Sequence, residues 1–230
     1  MGWTDLHIHS TFSDGKLSIP QIIDLYGQRG FSCIAITDHL CEEKTLLGKA
    51  AIYTNRSLTR SNFDFYLETL REEAARALRQ YKMLVIPGFE ITKNTIHWHR
   101  SAHLLALGVE KWISADDSIE SILHQIKDAG GLSIAAHPVS ADDQKPERHL
   151  LWSLRDELGD LVDAWEITDT GRILEKVLRS RVRKIATSDL HRAQHIRSWK
   201  TLIDSERHPQ AIFRSIRNQD VQFKFFSDAA

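Results

Sequence analysis

The segment WTDLHIH, Trp3–His9, decides the fold prediction because it combines a short strand pattern with two histidines at its end. Alternate residues of a β-strand point to the same side, so His7 and His9 would enter the interior of a barrel together. Burying two imidazoles without partners is costly, and histidine is a common metal ligand. The segment therefore predicts a first strand that delivers two metal ligands to one site.

Short apolar runs continue along the chain and alternate with amphipathic segments. This alternation is typical of repeated βα units with a parallel sheet, and α/β barrels of roughly 200–250 residues often form one domain. We therefore expect a single α/β domain over residues 1–230, built as a barrel. The seven candidate strands are Trp3–His9, Cys33–Thr37, Met83–Pro87, Ser101–Gly108, Leu132–Ala136, Val162–Ile167 and Arg183–Ser188.

Helix signals lie between these strands. One helix is predicted to begin after Ser18 and to end at Gly30, and another to begin after Ser118. Residues 41–82 separate the second and third strands and are predicted to form a loop followed by a covering helix. The helix is placed at Ser61–Gln80, and the loop at Cys41–Arg60 is either mobile or a plain surface connection.

The composition argues against several classes of protein. The chain has 30 Lys and Arg residues against 31 Asp and Glu residues, which is a formal charge of -1 and does not favour binding of long nucleic acid. Its two cysteines, Cys33 and Cys41, do not suggest a disulfide framework. No apolar stretch approaches the ~20 residues that span a bilayer. We expect a cytoplasmic protein without a membrane partner, whose oligomeric state stays open.

Nearly every later candidate strand carries a histidine or a carboxylate at or beside its C-terminal end, where parallel barrels place their active sites. His103 is the exception, because it opens its apolar run instead of closing it. The residues of this pattern are His7, His9, Asp14, Asp38, His39, Glu90, His103, His137, Asp189 and His191.

Each of these residues also has a simpler interpretation. Asp14 before Gly15 fits an ordinary turn, His137 fits a loop before Pro138, and Asp38 fits a helix cap. Taken singly, these alternatives stay open. Together they require many metal-type side chains to meet at one barrel end by chance, so the pattern favours a metal site.

Six motifs resemble those of the PHP (polymerase and histidinol phosphatase) family, and the resemblance runs from Trp3 to about Lys200. They are DLHIHSTFSDG (5–15), AITDH (35–39), PGFEIT (87–92), HLLALG (103–108), AAHP (135–138) and TSDLH (187–191). The likeness is to stand-alone members of similar length. It implies a distorted (β/α)7 barrel, similar to a TIM barrel, that holds three metal ions.

The resemblance also implies which residues bind each ion. The implied ligands are His7, His9, Asp189 and Glu90 for the first ion, Glu90, His103 and His137 for the second, and Asp14, His39 and His191 for the third. Glu90 would bridge the first two ions. Glu90, Asp14 and His191 are therefore the residues expected to serve catalysis.

The implied function is hydrolysis of a small phosphate monoester by a metal-activated hydroxide. Mixed imidazole and carboxylate ligands suit Zn, Mn and Fe alike, so the identity of the three divalent ions stays open. Two other functions remain as alternatives. One is an amidohydrolase-type metal hydrolase acting on a carbon centre, and the other is a non-catalytic, metal-bound module that docks on a partner.

Other residues could approach the site. Glu166 ends the sixth strand and is a candidate to support a ligand, and His97 and His99 are expected to have supporting or surface roles. The histidines expected at solvated positions are His124, His149, His195 and His208. Five arginines could overhang the site and grip a phosphate, and none of them is assigned: Arg56, Arg60, Arg100, Arg172 and Arg192.

Overall fold

The computed structural model describes residues 1–95, 101–140 and 150–227, and within them the chain folds into a mixed sheet surrounded by helices. The strands are β1 Gly2–Asp5, β2 Cys33–Ile36, β3 His39–Cys41, β4 Leu84–Lys93, β5 Ala102–Leu107, β6 Leu132–Ala135, β7 Ala164–Glu166, β8 Thr168–Asp169, β9 Arg172–Ile173, β10 Lys184–Ile185, β11 Trp199–Ile203 and β12 Val221–Phe225. The helices are α1 Ile19–Gly27, α2 Leu46–Tyr53, α3 Phe63–Tyr81, α4 Ile119–Asp128, α5 Leu150–Ser153, α6 Arg155–Leu158, α7 Glu175–Leu178 and α8 Pro209–Asn218.

The main sheet has the strand order β10-β7-β6-β5-β4-β2-β1-β11-β12, and β3 pairs with β4 beside this path. The sheet curls until the chain beyond β10 meets the chain beyond β1. There Ile8 and Leu190 form a parallel bridge, and the His9 N–H donates to the Leu190 carbonyl at 2.8 Å. The path from β1 to β10 contains the seven predicted strands, so the expectation of a distorted, TIM-like barrel is confirmed.

The prediction of a parallel sheet is wrong at β5, which runs antiparallel to both β4 and β6. Only residues 94–101 separate β4 from β5, and a parallel crossover needs about a dozen residues or more. Because β5 is reversed, its first residues lie at the edge where its parallel neighbours end. His103 is the second residue of β5 and faces Thr92 across the ladder. This reversal explains why His103 opens its apolar run.

The boundaries of other elements also differ from the predictions. β4 continues to Lys93, so Glu90 lies within a strand and not after one. The predicted loop at 41–60 contains the helix α2, which is capped by the Thr45 side chain. The covering helix α3, in contrast, lies within two residues of its predicted limits. The C-terminal elements β11, α8 and β12 were not predicted.

Apolar side chains fill two regions, one between the sheet and its helices and one inside the barrel. Alternate residues of the strands, such as Leu105 and Leu107, supply the interior cluster. Ile212, Phe213 and Ile216 of α8 belong to the same cluster and close one end of the barrel. Polar groups that enter the barrel can therefore gather only at the opposite end. No helix in the described ranges is long and apolar enough to cross a membrane.

A buried ion pair joins β11 to β1. Lys200 Nζ lies 3.0 Å from Asp5 Oδ2, and neither side chain is exposed to solvent. Asp5 also accepts hydrogen bonds from the Tyr26 hydroxyl and from both the backbone N–H and the hydroxyl of Ser188. Since Ser188 precedes Asp189, this cluster fixes the strand end from which Asp189 projects.

Replacing Lys200 with Met should lower the free energy of unfolding by about 3–5 kcal/mol, because it leaves the Asp5 carboxylate buried without its cation. Denaturant unfolding measures the change. Lys224→Met is the matched control, since exposed Lys224 lies opposite Lys200 in the β11–β12 ladder, and its effect should stay below about 1 kcal/mol. Equal stability of the wild type and Lys200→Met would contradict this account of the ion pair.

Candidate metal centre

The nine predicted ligand residues all lie within the described chain and meet at one end of the barrel. Their ligand atoms form four overlapping groups, and within each group the atoms lie within 4.8 Å of one another. The groups are His7, His9 and Asp189; His7, Glu90 and His137; His39, Glu90 and His103; and His9, Asp14, His39 and His191. His7, His9 and His39 thus each join two groups, where the sequence-based scheme gave each one ion.

Glu90 is the member with the most contacts. Its side chain is completely buried in β4, opposite the first residue of β3, His39. His103 Nδ1 lies 2.7 Å from Glu90 Oε1, and His39 Nδ1 lies 2.8 Å from Oε2. Because β4 is paired with β3 on one side and β5 on the other, this one carboxylate meets histidines from both neighbouring strands.

Asp38 organises the turn that carries Asp14. Its buried carboxylate accepts hydrogen bonds from the Ser10 N–H at 2.8 Å, from the Ser10 hydroxyl at 2.6 Å and from the Ser13 hydroxyl at 2.6 Å. These bonds fold residues 10–15 back over the barrel end. Asp38 is therefore neither a helix cap nor a member of the ligand groups, and it acts by shaping the turn before Gly15.

Glu166 lies behind two of the histidines. Its Oε1 is 2.8 Å from His7 Nδ1 and accepts a hydrogen bond from the Thr187 hydroxyl, and its Oε2 accepts the His137 backbone N–H at 2.7 Å. The bond to Nδ1 leaves His7 Nε2 facing the centre, 3.3 Å from Asp189 Oδ1. A carboxylate behind a histidine in this way fixes the ring and its tautomer at metal sites.

Two members of the groups have positive φ angles, which non-glycine residues rarely adopt: φ is 28° at His137 and 51° at Asp189. Hydrogen bonds hold the backbone at or next to each of these two residues. The His137 N–H is bonded to Glu166, and the N–H of Ser188, before Asp189, is bonded to Asp5. Strained residues of this kind concentrate at functional sites.

The donor set fits metal ions. Among the described residues, four buried carboxylate oxygens have no hydrogen-bond partner, and three of them belong to the groups: Asp14 Oδ1, Glu90 Oε2 and Asp189 Oδ1. The fourth, Glu42 Oε2, belongs to a carboxylate that is paired with Lys93 through its other oxygen. His7 Nε2 and His9 Nε2 approach each other to 3.0 Å, so both rings point at the same place. Buried polar atoms are almost always satisfied, and cations are the partners that imidazole nitrogens and carboxylate oxygens share.

The electrostatics of the centre shift the pKa values of its members strongly. Burial lowers the pKa of His137, but Glu90 and Asp189 outweigh it and raise the value to about 9. For His191, Asp14 and Asp189 likewise outweigh burial and raise the pKa to about 9. Burial together with the neighbouring His39 lowers the pKa of His9 to about 3. Since metals bind neutral imidazole, metal binding at this centre would release protons.

Two cavities open onto the centre. The larger, of about 850 Å³, is lined by His103, His137 and Asp189 on one side and by Leu47 and Ala51 of α2 on the other. The smaller, of about 350 Å³, is lined by Asp14 and His191 together with three cationic residues, Lys16, Arg56 and Arg192. Arg56 and Thr54 line both cavities. The segment with α2, predicted as a loop, therefore forms one wall of the site.

The arginines and histidines that were named outside the nine predicted ligand residues lie in different surroundings. Arg60 packs over the Trp112 ring near Glu43 and lines neither cavity. Arg172 is exposed and lines neither cavity, although its ladder partner Asp169 lines the larger one. His124 and His208 are exposed as expected. His195 is half-buried and accepts a hydrogen bond from the His191 N–H at 3.3 Å, so its predicted solvated position is wrong. The candidates outside the described residues are His97, His99, Arg100 and His149.

A family model for the PHP domain matches residues 5–155, which is more than half of the chain and includes seven of the nine predicted ligand residues. The chain belongs to the PHP family. The resemblance seen in its motifs is thereby confirmed.

One curated relative is the phosphoribosyl 1,2-cyclic phosphate 1,2-diphosphodiesterase of Eggerthella lenta, which is 31% identical over 108 residues. The match covers 46% of this chain and 31% of the relative, so the chain spans less than a third of that protein.

Two solved structures share the fold. A two-domain protein from Bacteroides vulgatus, described as containing a predicted PHP-like metal-dependent phosphoesterase, matches with a TM-score of 0.70 and 19% identity, over 97% of this chain and 64% of its own. An amidohydrolase from Chromobacterium violaceum matches with a TM-score of 0.57 and 16% identity, over 98% of both chains. At identities this low, the two structures show only that this PHP protein shares their fold.

Replacing Glu166 with Gln should weaken binding of Zn²⁺ by about 10–100-fold, because an amide cannot accept a hydrogen bond from His7 Nδ1 with the strength of a carboxylate. Calorimetric titration of the metal-free protein measures the affinity. Glu157→Gln, at an exposed position on α6, is the control. Wild-type affinity in a correctly folded Glu166→Gln variant would show that Glu166 does not orient the site.

Proposed function

We propose that this PHP protein is a metal-dependent phosphoesterase that hydrolyses a small phosphate monoester at a centre of three divalent ions. The observation that carries the proposal is the meeting of six histidines and three carboxylates in four groups, with three buried carboxylate oxygens left without hydrogen bonds. Family membership supports it, as does the relative from Eggerthella lenta, whose name gives a phosphodiesterase activity.

We assign the nine ligand residues to the ions as the family resemblance implies, with Glu90 shared between two of them. Zn, Mn and Fe all suit this donor set. When bound, such ions would neutralise phosphate charge and make water a stronger acid at neutral pH. The contacts of Glu90 favour the bridging role, since its two oxygens face different histidines.

Asp14 and His191 lie at the more open edge of the centre. His191 Nε2 is 3.0 Å from Asp14 Oδ1, and the two side chains are 26% and 30% exposed. Both line the smaller cavity, whereas Glu90 is wholly buried. We therefore assign Asp14 and His191 to the part of the reaction nearest solvent, where the leaving group departs.

The cavities favour catalysis over a purely structural role for the metals. A structural site has a closed ligand shell, whereas His103, His137 and Asp189 line an open cavity large enough for a small substrate. The cavity could also hold a substrate that is hydrolysed at a carbon centre, so experiment must test the amidohydrolase alternative. A panel of phosphate monoesters, phosphate diesters, lactones and amides separates hydrolysis at phosphorus from hydrolysis at carbon.

Removing the metals should abolish phosphatase activity, because no bound ion would then lower the pKa of the attacking water. A chelator followed by gel filtration gives the metal-free protein. Adding Mn²⁺, Zn²⁺ or Fe²⁺ should restore turnover of a phosphate monoester, measured as released phosphate. Full activity of protein shown by elemental analysis to lack these metals would refute the proposed chemistry.

Replacing Glu90 with Gln should lower kcat by roughly a hundredfold or more, because the substitution removes a negative charge that two ligand groups share. Steady-state kinetics and metal analysis together measure the effect. Glu110→Gln is the control, because Glu110 is an exposed carboxylate that pairs with Arg71. Unchanged kcat and unchanged metal content in Glu90→Gln would exclude the bridging role.

A further inference from the structure

We infer that the smaller cavity is a binding site for a second anionic group of the substrate, separate from the phosphate that is hydrolysed. The cavity is lined by Lys16, Arg56 and Arg192, and its ligand residues are Asp14 and His191. The inference rests on the proposed function and specifies its substrate: a phosphate monoester that also carries another phosphate or a carboxylate.

The backbone fixes each cationic residue close to the group formed by Asp14, His39 and His191. The Lys16 N–H donates to the His191 carbonyl at 2.8 Å, and Arg192 directly follows His191. Arg56 lies two residues before Leu58, whose N–H donates to the His39 carbonyl at 2.7 Å. Asn55, with φ at 54°, turns the chain after α2 so that Arg56 returns towards the cavity.

These three cations lack acidic partners. None of their side chains forms an ion pair or a hydrogen bond within the described part of the chain, whereas nearby Arg60 has a carboxylate and an aromatic ring beside it. Asp14 is the one acid that lines the cavity, and its carboxylate is already assigned to the metal centre. The cavity thus carries excess positive charge that an anion would neutralise, and arginine suits phosphate and carboxylate groups.

The position of the cavity separates this anion from the reacting phosphate. Only Asp14 and His191 of the nine ligand residues line it, whereas His103, His137 and Asp189 line the larger cavity. A reacting phosphate must lie over the shared part of the centre, around Glu90. An anion held deep in the smaller cavity lies to one side and belongs to another part of the same molecule. Arg56 lines both cavities and would lie between the two charged groups.

The test uses the metal-reconstituted protein and two series of probes, α,ω-alkanediol bisphosphates of increasing length and the alkyl monophosphates of matching length. Calorimetry measures binding, so the test does not depend on turnover. For the bisphosphate of best length, the wild type should bind about 10-fold or more tightly than the matching monophosphate. Lys16→Ala and Arg192→Ala, at cations that line the smaller cavity alone, should remove most of this preference and leave monophosphate binding within about twofold of the wild type.

Lys49→Ala is the matched control, because Lys49 is an exposed cation on α2 that lines neither cavity, and it should keep the full preference. Equal weakening of both probes by Arg192→Ala would overturn the inference, since the arginine would then hold the reacting phosphate itself. A wild type without preference at any probe length would also overturn it. If the proposed function alone is wrong, the preference remains while no phosphate ester is hydrolysed.

Discussion

Glu90 is a fully buried carboxylate whose two oxygens lie within 3.5 Å of ring nitrogens from five histidines: His7, His9, His39, His103 and His137. Burying this charge is costly, and the histidines offset the cost strongly enough to lower the pKa of Glu90 well below its usual value. The same arrangement crowds basic nitrogens that repel one another when protonated. Cations shared between Glu90 and neutral histidines resolve both problems, so the rest of the site depends on this contact.

Three other buried carboxylates hold the ligand residues from behind. Glu166 supports His7 and His137, Asp38 folds the turn that carries Asp14, and Asp5 fixes the strand end before Asp189. Their partners are backbone N–H groups, hydroxyls, a ring nitrogen that faces away from the centre and, for Asp5, the Lys200 ammonium. The barrel therefore uses one set of acids as candidate ligands and another to limit how far those ligands can move. Such support is what accurate placement of a reacting group requires.

The sequence predicts this site better than it predicts the sheet around it. Strand ends are marked locally by an apolar run that stops at a polar residue, and this signal pointed to eight of the nine residues that meet at the barrel end. His103 did not fit because strand direction depends on the length of the connection and on partners far along the chain. The same limit explains the missed elements: α2 has weak periodicity, and the segments that flank it are held through Glu43 by Asp116 and through Leu58 by His39. In β11 the polar Lys200 and Thr201 interrupt the apolar run, and in β12 three of the five residues are exposed, so their strand pattern is equally faint.

The central claim is that the ligand groups around Glu90 hold three metal ions. Anomalous diffraction from crystals of the metal-reconstituted protein, collected on both sides of the metal absorption edge, tests it directly. The account predicts three anomalous peaks among the nine ligand residues, with Glu90 in contact with two of them. A map without peaks at this end of the barrel, from protein that retains its fold, would contradict it.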